Sequence, residues 1–535
     1  MVVAKHPLAA LAGVEILKKG GNAVDAAVAT HFALAVVEPF MTGIGGGGRC
    51  VIRFKNGTTF VMNFEPMAPG KEEPFEPDPK KEATAYGVGL GRPAVKGDAN
   101  KYGYKAAAVP GFVKGLCFLA KKFGSMELSE LLEAAIKYAD EGFILDTYIA
   151  KAIAFDMGLI IKFPETARLL LKDGICPRPW GWSFGDFDRL IQKDLARTLR
   201  KIATEGADAY YQGTIAHAIA FDMAEHGGYI TEDDLAAYRP EILKAGKGSY
   251  RSHSLIHFPV STGILQILNI LEGFDMKKLG YNTSTSVHLL IEAIKLAFSS
   301  RKFLGTGLDN RPFQGIVTKE YAETLRRRID LEHAKSHIDL EAPENANEEF
   351  TTHACAVDVD RNIVGMHTSL GHTFGSKVTI KNTGIILNNK MHDYDPRPGT
   401  PNSVRPRRIK PPPSGSTIVL KRNEPWLVLG APGGYKQVTA VARSIQNIID
   451  YRMSIQEAIM SPRIYVQTGK VFIESRIPQT IVQTLVKMGH DVTVVDKEYN
   501  FGQPTGIFLD AKTGLLHGGV DRDLPHGLDA ISLGY

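Results

Sequence analysis

The chain has 535 residues, 44% of them apolar and 23% charged, with 53 glycines and 29 prolines; this globular composition excludes long disordered or fibrous segments. Its length exceeds what one simple core supports, so it forms either two domains or one unusually large layered unit. A net charge of +5 is too small and dispersed for a nucleic-acid track or an anionic-membrane patch, and the scattered Cys50, Cys117, Cys176 and Cys355 give neither a zinc motif nor a disulfide framework.

Met1-Val2-Val3-Ala4 runs into the polar Lys5-His6-Pro7 without the pattern of a signal peptide, and no apolar stretch is long enough to span a bilayer. The expectation is a cytoplasmic protein with no membrane or nucleic-acid partner, or a secreted one whose leader has been removed. Pro7 to Leu17 has helical spacing and stops at Gly20-Gly21; Asn22 opens a second, alanine-rich helix, small and apolar on nearly every side, which suits an interior. After Gly43 to Gly48 the period changes to two: Cys50 to Phe54, a turn at Asn56-Gly57 and Thr58 to Phe64 predict a hairpin. The glycines before it are no phosphate cradle, because no Lys-Ser/Thr follows them.

From Val109-Pro110-Gly111 to about Arg301 the pattern is mostly helical, with one amphipathic stretch on Leu128, Leu131, Leu132, Ala135, Ile136 and Ala139 and a capping pattern at Thr231 and Asp234. Residues 341–350 are acidic, contain Pro343 and lack an apolar period, which predicts a solvated loop ending at Thr351. Strands are then predicted at His353 to Asp358, Ile363 to Met366, Thr417 to Leu420 and Trp426 to Leu429, the last leading through Gly430-Ala431-Pro432-Gly433-Gly434 to a helix near Val438 to Ile449.

Two places in this text carry chemistry. A Pro-Gly-Gly turn between strand and helix points backbone N–H groups at a helix N-terminus, where negative charge is favoured, and this suits an oxyanion hole. On base rates alone it is more often a tight turn. A threonine hydroxyl is a poor nucleophile, but a chain break before Thr351 frees an α-amine of ordinary pKa about 7.7–8.0, which serves as base on the same residue. Without other support, Thr351-Thr352 reads as β propensity. His353, His367, His372 and His392 lack metal-site spacing, so no metal is expected. Arg405, Arg407, Arg408 and Lys410 suit an anionic ligand, though such a run is more often a solvated loop. Cys355 alternates with Thr351 and His353 on one strand face, by default as an inert buried thiol.

Over nearly its whole length the chain resembles the γ-glutamyltransferase (glutathione hydrolase) family, N-terminal nucleophile hydrolases matured by self-cleavage. The resemblance rests on His6-Pro7-Leu8-Ala9, Lys18 to Ala27, Gly43 to Gly48, Val109-Pro110-Gly111, Thr351-Thr352-His353, Thr373-Phe374-Gly375-Ser376, Leu387-Asn388-Asn389, Pro432-Gly433-Gly434 and Gly534-Tyr535. It implies an α+β fold with four αββα layers and additional helices. Residues 1–350 would form the large subunit, with a helical middle at about 110–300, and residues 351–535 the small subunit. It implies self-cleavage between Phe350 and Thr351, Thr351 as nucleophile, Ser369 (a threonine in the family) orienting it, and Gly433 and Gly434 as oxyanion hole. No cofactor is implied; the partners are a small-molecule amide and a water or amine acceptor.

The donor pocket departs from the family pattern. Asp393, which in the family takes the donor's α-amino group, is kept. Glu65 stands where an arginine grips the α-carboxylate, and a carboxylate there would repel that group. A serine pair falls on Pro412 and Pro413, or on Pro413 and Ser414; Lys390 replaces a neutral polar residue and Gly371 an asparagine. The stretch from Gly399 to Ser416 is short where many relatives carry a lid, which implies an open site. Glutathione-type hydrolysis is therefore accompanied by two alternatives: a divergent acylase for oxamate-like, glutaryl or cephalosporin-type amides, and an unprocessed, non-catalytic scaffold.

Overall fold

The computed structural model describes residues 1–72, 75–82, 93–179, 187–259, 261–299, 315–335, 350–400, 402–410, 412, 414–467, 469–496, 501–521 and 531–534. Two antiparallel sheets lie face to face between helices. The strands of these two sheets in chain order are β1 (Val2–Ala4), β2 (Gly47–Arg53), β3 (Thr59–Phe64), β4 (Glu241–Leu243), β5 (Gly246–Tyr250), β6 (His253–His257), β7 (Phe350–Val357), β8 (Ile363–Gly371), β9 (Thr417–Lys421), β10 (Glu424–Gly430), β11 (Thr505–Leu509), β12 (Leu516–Val520) and β13 (Ile531–Leu533). Sheet one runs β13-β1-β7-β8-β2-β3-β4 and sheet two β12-β11-β10-β9-β6-β5.

Side-chain alternation builds the layers. Val51, Cys355, Val357 and Ile363 of sheet one meet Ile256, Ile418, Val428 and Ile507 of sheet two in the central cluster. Their neighbours Cys50, Ile52, Ala354, Ala356 and Val364 face the helices α1 (Pro7–Lys18) and α2 (Ala23–Val37). Leu255, Val419, Leu427 and Leu429 face α3 (Thr262–Leu271), α4 (Ser284–Ser299) and α5 (Lys436–Asp450). The order of layers is αββα, as expected.

The glycine-punctuated start forms as read. Asn22 and Asp25 make a reciprocal capping box, and every residue of α2 is buried. The hairpin β2–β3 turns at Asn56-Gly57, with Gly57 at φ +84°. The helical middle needs correcting: β4, β5 and β6 lie inside it, β4 on the edge of sheet one and β5 and β6 on the edge of sheet two. Gly246-Lys247-Gly248-Ser249 hides a strand because glycine and lysine carry little β propensity, and pairing with β6 supplies what the local sequence lacks. The acidic loop falls, except for Phe350, outside the described residues. No helix among the described residues is long and apolar enough to cross a membrane.

Candidate functional site

Phe350 and Thr351 are consecutive in β7, so the strand starts earlier than the sequence pattern places it. Phe350 pairs with Gly371 and Thr352 with Thr368, so three steps along β8 oppose two along β7. This bulge re-aims β8 locally. Ser369 faces Thr351, whose buried hydroxyl donates to Ser369 Oγ across a long 3.4 Å, while that oxygen accepts Gly371 N–H at 2.9 Å. Thr352 points toward α2 and donates to Glu38 at 2.6 Å. Burial pushes the Glu38 carboxyl up to about 7, against the opposing effects of Thr352 and Lys5.

The glycine turn belongs to sheet two yet meets β7 and β8. A Cβ on Gly430 would lie 2.3 Å from His353 Nε2, so the last residue of β10 passes close over the strand that carries Thr351. The Ala431 carbonyl accepts from His367 Nε2 at 3.1 Å. Gly433 and Gly434 then take φ values of +108° and +54°, backbone that a side chain strains. Among the described residues neither of their N–H groups has an acceptor, and α5 starts two residues later.

The sequence-picked pocket residues Glu65, Lys390 and Asp393 come together in one buried ion cluster. Arg49 Nη1 lies 2.7 Å from Glu65 Oε1, and Lys390 Nζ stands 3.9 Å from Glu65 Oε2 and 3.5 Å from Asp393 Oδ2. His392 Nε2 is 3.0 Å from Asp393 Oδ1, and Lys410 donates to the Asp393 carbonyl at 2.6 Å. Burial pushes the Asp393 carboxyl up, but Lys390, His392 and Lys410 outweigh it and hold it well below the usual range. The expectation for Glu65 is therefore corrected: its carboxylate is no bare repulsive charge, because Arg49 matches it.

Asn388 and Asn389 set this floor. Asn388 bridges the Gly45 and Ala108 backbones, and Asn389 Oδ1 accepts His372 N–H at 2.9 Å. Gly371 sits at φ +103°, where a Cβ would lie 2.2 Å from Asn389 Oδ1, so an asparagine at 371 would displace Asn389. Of the basic run Lys410 reaches the cluster; Arg405 and Arg407 are exposed, and Arg407 faces Asp234 at 3.5 Å. Pro412 and Ser414 are buried, and Pro413 lies outside the described residues.

A profile of the family described as Gamma-glutamyltranspeptidase matches residues 9–526. The chain belongs to the γ-glutamyltranspeptidase family. It is 38% identical over 499 residues to the Acylase ACY 1 proenzyme of Pseudomonas sp. (strain SE83), covering 92% of this chain and 87% of that one. To the Glutathione hydrolase proenzyme of Escherichia coli (strain K12) it is 34% identical over 565 residues, covering 100% and 92%. The crystal structure of a cephalosporin acylase from Bacillus halodurans superposes with a TM-score of 0.84 at 29% identity, covering 100% of this chain and 96% of that one. As a family member the chain is a self-processing N-terminal nucleophile hydrolase of the γ-glutamyltransferase type, an enzyme acting on amide bonds.

Sequence reading of this family member missed Arg49, which meets Glu65 only through the pairing of β2 with β3, and His392, which stands beside Asp393; the only signal for Arg49 is a cation among the apolar and glycine residues of its strand. The four histidines doubted as metal ligands form two ring pairs, His353–His367 at 4.5 Å and His372–His392 at 4.3 Å between centroids. Cys355 packs in the central apolar layer, where burial pushes its thiol far up. A different trio, His288, Glu292 and His490, has ligand atoms within 4.8 Å of one another. Lys295 Nζ bonds both Glu292 (2.9 Å) and His490 Nδ1 (3.2 Å), so an ammonium already supplies the positive charge there.

Proposed function

We propose that Thr351 is the nucleophile of this amide hydrolase, first on its own chain and then on substrate. In the uncut chain its Oγ1 attacks the Phe350 carbonyl, the acyl group shifts from nitrogen to oxygen, and water cleaves the ester, leaving segments 1–350 and 351–535. The freed α-amine then accepts the hydroxyl proton as Thr351 attacks an amide carbonyl and returns it to the leaving amine; water or an amine releases the acyl group. Ser369 holds the hydroxyl, and the N–H groups of Gly433 and Gly434 receive the oxyanion, each such donor contributing about 2.7–4 kcal/mol in the transition state. One observation carries the reading: the bulge in β8 seats Ser369 under Thr351 while, among the described residues, the two glycine N–H groups have no acceptor.

A second reading concerns the acyl donor. Asp393, matched by Lys390 and His392, is already neutralised, which weakens its hold on an α-ammonium. This favours donors bearing a terminal carboxylate and no α-amino group, as in glutaryl amides, and it agrees with the acylase named among the relatives. The test is a denaturing gel, with two fragments expected for the wild type and one band for Thr351→Ala, followed by turnover of γ-glutamyl and glutaryl anilides by the cleaved enzyme. Cleavage and turnover that persist in Thr351→Ala would sink the nucleophile, and a lasting full-length, inactive wild type would favour a binding scaffold. Faster turnover of the γ-glutamyl anilide would sink only the second reading.

A further inference from the structure

The reacting groups of this enzyme sit on different sheets. Thr351 and Ser369 belong to β7 and β8 of sheet one, and the Pro432-Gly433-Gly434 turn leaves β10 of sheet two. Between the sheets the packing is mostly aliphatic, and dispersion contacts are non-directional, so they set a spacing but not the aim of a peptide group. At the Thr351 end, one row of buried polar groups crosses the gap. His353 Nδ1 and Thr505 Oγ1 are 2.6 Å apart, His353 Nε2 and Ser416 Oγ 3.2 Å, Ser416 Oγ and His367 Nδ1 3.3 Å, and His367 Nε2 and the Ala431 carbonyl 3.1 Å.

We infer that the relay Thr505–His353–Ser416–His367 is a positioning device that aims the Gly433-Gly434 turn at Thr351 by holding the carbonyl of Ala431. The inference rests on Thr351 and the glycine turn being the reacting groups.

A carbonyl only accepts, so His367 Nε2 carries a proton. In a neutral ring Nδ1 then accepts from the Ser416 hydroxyl, Ser416 Oγ accepts from His353 Nε2–H, and His353 Nδ1 accepts from the Thr505 hydroxyl. A single set of tautomers satisfies every member. Both rings are fully buried, and burial holds each well below its ordinary pKa, with Arg49 and His31 acting in the same direction on both. The rings are thus structural donors and acceptors and carry no proton to the reaction. The surrounding backbone is shaped to admit them: a Cβ on Gly430 would meet His353 Nε2 at 2.3 Å, and one on Gly365 would meet the Ser416 Cβ at 2.6 Å. Ala431 stands two residues before Gly433, so a shift of its carbonyl turns the following N–H groups away from the oxyanion.

The test compares His367→Leu, His367→Gln and Ser416→Ala with the wild type for self-cleavage, unfolding midpoint, and kcat and KM on whichever anilide the wild type turns over faster. Leucine at 367 and alanine at 416 should leave KM within about twofold and lower kcat by at least about tenfold, since misplacement by about 1 Å costs up to 10²-fold. Glutamine, whose amide donates to Ala431, should restore most of the loss with an unchanged pH profile of kcat. Folded Leu and Ala variants with wild-type kcat would overturn the relay, as would equal losses in His367→Gln and His367→Leu or a loss confined to KM. A displaced pH limb in His367→Gln would instead show His367 exchanging protons with substrate and also overturn it. If His367→Leu does not fold, Ser416→Ala, which removes one hydroxyl, decides alone. Turnover by Thr351→Ala would sink the nucleophile reading whatever these variants do, whereas Thr351-dependent turnover indifferent to them sinks only the relay.

Discussion

Arg49 and Glu65 have almost no solvent around their charged ends and meet at 2.7 Å. Removing one partner of such a pair leaves an uncompensated buried charge, typically about 3–5 kcal/mol, although hydrophobic replacement of both is often tolerated. Arg49→Met should therefore lower the unfolding free energy toward the lower end of that range, because Lys390 still stands 3.9 Å from Glu65. Adding Glu65→Leu should recover part of the loss, and urea titration of the single and double variants measures both. Glu65→Arg should not create γ-glutamyl specificity by itself, since it places a third cation beside Arg49 and Lys390; a rise in γ-glutamyl anilide turnover in that variant would contradict this charge balance. At this scale the sequence revealed residues whose chemistry is local. Thr351 follows an acidic stretch with no apolar period, and Gly433-Gly434 lies between strand and helix, so their neighbours in the chain mark them. Arg49 acquires meaning only through Glu65, just past the end of the adjoining strand, and the position of Ser369 depends on a bulge that no residue pattern in β8 announces.

Elements built from local rules were legible, and those held by distant partners were not. The helix α2 has its capping box and its small apolar residues in the sequence itself, whereas β4, β5 and β6 are weak strands held by the strands they pair with. The pairing of α1 with α2 shows how close such small-residue packing becomes. A Cβ on Gly13 of α1 would lie 2.2 Å from Thr30 Oγ1 and 3.0 Å from the Ala26 carbonyl. On an exposed helix, Gly→Ala stabilises by up to about 1 kcal/mol through propensity. Gly13→Ala is expected to do the reverse, destabilising by about 1–3 kcal/mol as the helices are forced apart. Thr30→Ala in the same chain should relieve part of the strain, since it removes the nearest atom and leaves the Ala26 carbonyl. Thermal midpoints of the two variants test this, and a stabilised Gly13→Ala would mean the helices separate without loss.

Across the whole molecule, the layered core keeps many histidines neutral. Burial lowers His6, His31 and His490 to about 3 and holds His353, His367 and His372 well below their ordinary value. An unfolded histidine takes up a proton below about pH 6.5, and the folded chain refuses it, so the stabilisation from these groups is complete above that pH and is lost as pH falls below it. Two buried carboxyls act with the opposite sign. Glu38 and Asp146 are raised to about 7 and about 6, chiefly by burial, so their contribution is present at low pH and is lost as pH rises from their unfolded values. Between about pH 4.5 and 6.5 the two sets compete, and the histidines outnumber the carboxyls. The folded enzyme should therefore lose stability on acidification from pH 7.5 to 5, with each unmatched proton contributing about 1.4 kcal/mol per pH unit. His490, far from Thr351 in the fold and bonded to His288 at 2.8 Å, offers a check that spares the active site. Urea midpoints across this range should fall most steeply below pH 6.5, and His490→Gln should flatten the curve by about one proton. A midpoint that rises on acidification would mean that the buried histidines charge without unfolding the chain.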